Sequence, residues 1–426
     1  MDDKVQKYIK AICSHIKWKN YHLAIKSELQ NHINDSISDL TKQGIPEEEA
    51  LNLTLQNMGA PDILGKQLNE AYKPECNKML IFTVLSSITI FSIFEYFSIL
   101  KVTGEYLYIL KIISSIIVGS LGGFLLFMND WSSGNKLHRF MTISFISIAV
   151  FCVVFDFVDF LNKAIIINGM LLLFPLLSCC FIDRVKNKKM IGLFFTMFIF
   201  TIPIFLSYYL QAFASMIVLS ISVWIVLILI IKNNWLDIKR KEFMYVFVSL
   251  PYLCVVLYSI ISKIDNIQLN MKGFFVKEII KKSIMFGRGS SELINYNGII
   301  DYPITLMIAN YGYIILIAYF LFFTFLIFEI IKIYNRQQNF VAKLLIISVM
   351  ASLIIEFVFS VLLNLGVPLA KGIAVPFLNF NFGIVIKVIQ LGLVEMLDCF
   401  GNYIFSNYSD NKLFDIEEGK IIIYYK

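Results

Sequence analysis

The residues of this chain best suited to chemistry gather in its second half. Arg288 stands between glycines in Met285-Phe286-Gly287-Arg288-Gly289-Ser290, and Lys281 and Lys282 precede it. A guanidinium on a glycine turn offers a planar donor fork, and backbone amides bared by Gly287 and Gly289 can add to it, a combination that suits a diphosphate. The same basic stretch equally suits the anionic headgroups of membrane lipids. It is not a nucleotide loop, because Glu292 occupies the third glycine position and no strand precedes it. Asp301 lies just before Tyr302-Pro303, where an aspartate is a ready helix N-cap and a proline a ready helix start. Glu356 and Lys387 each fall inside an apolar run. A charge at a bilayer centre costs roughly 2.5–3.5 kcal/mol, so these two are expected to pair, the alternative being that one of them lines a path. His15, His22, His32 and His138 lack ligand spacing, and the seven cysteines show no CxxC pattern. Neither a metal centre nor a disulfide framework is expected, and no residue pattern points to a cofactor.

The elements that must position these residues follow from composition. The chain has 426 residues, 58% of them hydrophobic and only 16% charged, whereas soluble domains carry about a quarter charged residues. Lipid is the solvent that makes such a composition stable. The net charge of +6 is modest, and its basic residues sit between apolar runs rather than along one polar face, which excludes a nucleic-acid partner. The expectation is an all-α, polytopic membrane protein of about ten transmembrane helices with a small N-terminal cytoplasmic helical domain.

Residues 1–77 are polar, carry no cleavable signal pattern, and read as soluble helices. Ile25, Leu29, Ile33, Ile37 and Leu40 make one helical stripe; Pro46 with Glu47–Glu49 starts a second helix; a third is predicted from Asp62 to Tyr72. Apolar spans are predicted at 79–100, 106–128, 140–160, 164–182, 190–208, 210–231, 244–262, 304–331, 344–363 and 377–397, each near the ~20 residues that cross a bilayer. Residues 78–400 therefore form the membrane domain, 263–303 its large outer loop, and 401–426 a polar tail. With the N-terminus inside, short inner loops hold Lys136 and Arg139, then Arg184, Lys186, Lys188 and Lys189, then Lys232, Lys239, Arg240 and Lys241, then Lys332, Arg336 and Lys343. The outer loop, with Lys281, Lys282 and Arg288, is itself basic against the usual charge bias, which marks either a misassigned topology or a site for an anionic ligand.

Three patches, taken together, resemble the SEDS family (FtsW, RodA and SpoVE), polytopic glycosyltransferases that polymerise peptidoglycan from lipid II. Met285-Phe286-Gly287-Arg288-Gly289-Ser290 looks like the family's glycine-lysine-glycine turn. Asp301-Tyr302-Pro303-Ile304, with Tyr311-Gly312 beyond it, resembles the family's aspartate-aromatic motif. Gly372-Ile373-Ala374-Val375-Pro376-Phe377-Leu378-Asn379-Phe380 looks like the loop before the last helix, with Pro368 near the family's preceding proline. The resemblance covers about residues 79–400. It departs from the family at Ala309-Asn310, where glutamates are usual, and at Asn379, Asn381 and Phe382. The N-terminus, with Gly44-Ile45-Pro46-Glu47 and Met58-Gly59-Ala60-Pro61, resembles the helical prefix domain of some Gram-positive permeases.

This resemblance implies that Asp301 is the catalytic carboxylate, taking the proton of a sugar hydroxyl, and that Arg288, Gly287, Gly289, Lys281, Lys282, Pro376 and Asn379 bind substrate. The substrate would be lipid II or a related undecaprenyl diphosphate sugar, with membrane lipids around it and a single-span class B penicillin-binding protein as partner. A divalent cation is an option at the diphosphate. The place would be the bacterial cytoplasmic membrane, serving cell shape, division or sporulation. Two other readings stay open: a non-catalytic scaffold for a transpeptidase, and a flippase for lipid-linked precursors, for which no symmetric pair of broken helices is seen.

Overall fold

The computed structural model describes residues 2–103, 108–129, 131, 143, 189–209, 213–234, 240–264, 267–289, 302–367, 376–378, 382–404, 414–417 and 420–423. The predicted spans at 140–160 and 164–182 lie outside these residues, apart from Ile143. The chain divides into two compact units.

The first unit comprises Met1–Cys76, Met128–Leu137 and Cys399–Lys426. Its helices are α1 (Asp2–Ser14), α2 (His22–Lys42), α3 (Glu47–Met58) and α4 (Pro61–Ala71). The predicted stripe of α2 faces inward: Ile25, Leu29 and Ile33 are fully buried, with Ile9 and Ile12 of α1, Leu51 of α3 and Leu68 of α4. Each helix buries one face and exposes a polar one, as helices in water must. The Tyr8 hydroxyl donates to the Gly59 carbonyl at 2.8 Å, and burial pushes its phenol up to about 12. The polar tail carries a short antiparallel hairpin, β1 (Phe414–Glu417) with β2 (Lys420–Ile423), which its composition did not announce.

The second unit comprises Asn77–Phe127 and His138–Asp398. Its helices are α5 (Lys78–Thr103), α6 (Tyr108–Met128), α7 (Lys189–Tyr209), α8 (Phe213–Lys232), α9 (Lys241–Ile264), α10 (Ile267–Lys281), α11 (Pro303–Tyr311), α12 (Ile314–Arg336), α13 (Phe340–Asn364) and α14 (Phe382–Ile404), the last ending within the first unit's segment. Among the described residues six helices, α5, α7, α8, α9, α12 and α13, are long and apolar enough to span a membrane. Their outward faces hold Phe82, Phe198, Phe243, Leu250 and Leu321, all more than half exposed. An apolar surface of that extent belongs in lipid rather than water. α13 buries 78% of its span and α9 only 22%, so α13 is a central post and α9 a lipid-facing helix. α6 and α14 cross closely at glycines: a Cβ on Gly392 would lie 2.7 Å from the Gly123 Cα.

One predicted boundary is corrected, and within residues 263–303 the chain forms the helix α10. The predicted span 304–331 is two helices, α11 and α12, because the chain breaks at Gly312, whose φ of +87° only glycine tolerates well.

Candidate functional site

The site is built around α11, a short helix buried from Pro303 to Asn310. Beyond α10 the chain turns through Ser283–Gly289 and is stitched to the far end of α11. The Gly287 amide donates to the Tyr311 carbonyl at 3.0 Å and the Gly289 amide to the Ala309 carbonyl at 3.1 Å. In return the Tyr313 and Ile314 amides donate to the carbonyls of Ile284 and Met285 at 3.1 and 3.2 Å. The Tyr313 hydroxyl donates to the Ile280 carbonyl at 2.7 Å. The fit requires glycine at 312, since a Cβ there would sit 2.5 Å from the Met285 carbonyl oxygen. Gly287 itself has φ +89°.

This geometry revises one expectation. The amides of Gly287 and Gly289 are spent on α11 and are not free for a diphosphate. The glycines shape the turn; the side chains face the surroundings. Arg288 and Lys282 are exposed, and so are Ile284, Met285 and Phe286. Lys281 pairs with Glu278 at 2.9 Å, one helical turn earlier. The turn is thus a cationic loop with an apolar tip, the composition of a segment seated at a membrane interface. It offers cations rather than carboxylates, so it suits an anion better than a metal ion.

The other end of α11 starts at Pro303, with Tyr302 as N-cap residue making no side-chain cap bond. Its free amides are met from another helix. Asn364, the last residue of α13, accepts from the Ile304 and Thr305 amides at 3.0 and 3.2 Å. The Thr305 hydroxyl donates to the Asn364 carbonyl at 2.6 Å, and Asn364 Nδ2 donates to the Ser360 carbonyl at 2.8 Å. Asp301 lies outside the described residues. The Ile304 and Thr305 amides at the start of α11 are met by Asn364. Between Pro303 and Ala309, where the turn is stitched, α11 advances six residues, about 9 Å at 1.5 Å each.

Asn310, where the resemblance places a carboxylate, is buried; its Nδ2 donates to the Leu306 carbonyl at 3.0 Å and its Oδ1 has no hydrogen-bond partner among the described residues. Pro376 is buried, and its carbonyl accepts from the Tyr319 hydroxyl at 2.7 Å. Phe377, fully buried against the Phe322 ring, has φ +63°, a strained value for a bulky residue. Asn379 and Pro368 lie outside the described residues.

Glu356 of α13 and Lys387 of α14 meet: Nζ and a carboxylate oxygen are 2.6 Å apart with both side chains fully buried. Gln390 Oε1 accepts a further bond from Lys387 at 3.2 Å. Phe357, next to Glu356 in the sequence, stacks on Phe323 with ring centroids 3.8 Å apart. Sequence reading missed Asn364 and Tyr319, and named Asn310 only as a departure from the family. Asn364 at the end of an apolar run, and Asn310 within one, were the only signals available, since a polar side chain among apolar ones needs a partner.

No family profile matches the chain, and no curated protein matches it by sequence. Solved structures do. A chain of a peptidoglycan synthase complex, described for its structural coordination of polymerization and crosslinking, is similar with TM-score 0.59 at 12% identity, over 76% of this chain and 97% of that one. The rod-shape-determining protein RodA of Thermus thermophilus is similar with TM-score 0.54 at 10% identity, over 76% of this chain and 96% of RodA. An aspartate-to-alanine mutant of RodA gives the same score at 11% identity. A likeness at this identity is one of fold. With the apolar outer faces of its helices, it makes this chain an integral membrane protein with the polytopic helical fold of the SEDS proteins.

Proposed function

We propose that this chain works on a lipid-linked diphosphate sugar in bacterial cell-wall synthesis, as a peptidoglycan glycosyltransferase of SEDS type that polymerises lipid II. The observation that carries this reading is the layout of α11. A cationic turn is fastened to one end of the helix, while Asn364 caps the other end, whose first residue Pro303 follows Asp301 by two positions in the sequence. The described backbone spans about 9 Å between them. We place the diphosphate at Arg288 and Lys282 and the sugar hydroxyl at the carboxylate of Asp301. Asp301 takes the hydroxyl proton as the oxygen attacks the anomeric carbon. The bond from that carbon to the undecaprenyl diphosphate breaks, and the cations stabilise the departing charge. A divalent cation would add to that stabilisation. The turn then lies on the outer face of the bacterial cytoplasmic membrane and the N-terminus in the cytoplasm. A crosslinking partner of the penicillin-binding class is expected, by analogy with the synthase complex of like fold.

The test is polymerisation of labelled lipid II by the purified protein. Asp301→Asn is expected to lower the rate by about 10²–10⁴, the usual worth of a general base. Equal activity in the mutant would remove Asp301 from the mechanism. The second reading, a non-catalytic scaffold, is favoured by Ala309-Asn310 standing where the family has carboxylates. It predicts that Asp301→Ala still rescues a strain lacking the protein.

A further inference from the structure

We infer that a groove between α8, α12 and α13 is a binding site for one anionic phospholipid, separate from the site at α11. The groove encloses about 270 Å³. Its floor is Ile347, Ala351 and Ile355 of α13, all buried. Its rim is Ile225 and Leu229 of α8 with Met350 and Ile354 of α13, which remain partly exposed. Tyr334 closes one end and carries the one polar side-chain group of the lining.

The cations gather at the Tyr334 end. Lys343 lies one turn before Ile347 on the same face of α13, and its ammonium sits 5.6 Å from the Tyr334 ring centroid. On α8, Lys232 follows Leu229 by three positions, and the Lys241 ammonium reaches the Lys232 carbonyl at 3.5 Å. From Lys343 to Ile354 is eleven residues, about 16 Å of helix at 1.5 Å each. One leaflet is half of a hydrocarbon layer about 30 Å thick. The groove is therefore one leaflet deep, apolar along its length and basic at its mouth. That is the shape and charge of an acyl chain below a phosphate headgroup. A free anion would leave the apolar floor unfilled, and a neutral lipid would leave the lysines without a counter-charge.

The test is native mass spectrometry of the full-length protein released from bilayers of equimolar phosphatidylglycerol and phosphatidylcholine. Wild type is expected to retain one phosphatidylglycerol in preference to phosphatidylcholine. Ile354→Trp, at the rim, and Ala351→Phe, on the floor, are expected to lose the retained lipid. Lys343→Gln is expected to keep a lipid but lower the preference about fivefold, the worth of one lysine near a headgroup. Retention unchanged in Ile354→Trp, or equal retention of the two lipids by wild type, would overturn the proposal. Displacement of phosphatidylglycerol by added undecaprenyl phosphate would overturn it in favour of an isoprenoid chain. A dimer lost on filling the groove would overturn it in favour of a second copy of the protein.

Discussion

The two charged features of the membrane unit solve opposite problems. Glu356 and Lys387 have no access to solvent and must satisfy each other, whereas Arg288 and Lys282 lie on an exposed turn and leave their charge available. The first kind of charge is held for architecture, because a buried ion without its partner is uncompensated. The second is held for what approaches from outside. The turn's rigidity comes from backbone bonds to α11, so its cations are placed without being consumed. Charge in a lipid-embedded protein thus reads by context: paired and dry it fixes helices, anchored and wet it stays open to an anion.

The comparison breaks most readily at the buried pair. Lys387→Met or Glu356→Leu alone is expected to cost about 3–5 kcal/mol in unfolding free energy, measured by denaturation in mixed micelles. The double replacement should recover most of that loss, and failure to recover it would give the pair a role beyond neutralising itself. Next in size is Gly312→Ala, expected to cost about 1–3 kcal/mol through a forbidden backbone conformation and a clash with the Met285 carbonyl. It should also free the turn, seen as faster protease cleavage near Arg288. Asn364→Ala removes the cap of α11 and is expected to cost about 1 kcal/mol, with Asn364→Asp losing less. In an active preparation polymerisation should fall in Asn364→Ala, while Asn364→Asp retains more of it. The smallest effect on folding is at Arg288→Ala, within about 0.5 kcal/mol, as for an exposed side chain. Its effect should appear instead as weaker binding of a lipid-linked diphosphate and a shallower dependence on salt. A large stability loss there would erase the distinction between the two kinds of charge.

Much of the architecture was legible residue by residue. The stripe of Ile25, Leu29 and Ile33 marked the inner face of α2, and long apolar runs marked α5 and α7 to α9 within a few residues, because hydrophobic periodicity and length are properties of local sequence. The pairing of Glu356 with Lys387 was legible as a cost that had to be met, though not as a geometry. The break at Gly312 was not legible, since a glycine within an apolar run is tolerated in a membrane helix; only the approach of Ile284 and Met285 makes it a turn. Composition and spacing settled that this chain lives in lipid and where its helices run. Which amides were already spent, which asparagine capped which helix, and which cations stayed free were decided by contacts between residues distant in sequence. Hydrogen-bond satisfaction is a property of the folded whole and has no local signature.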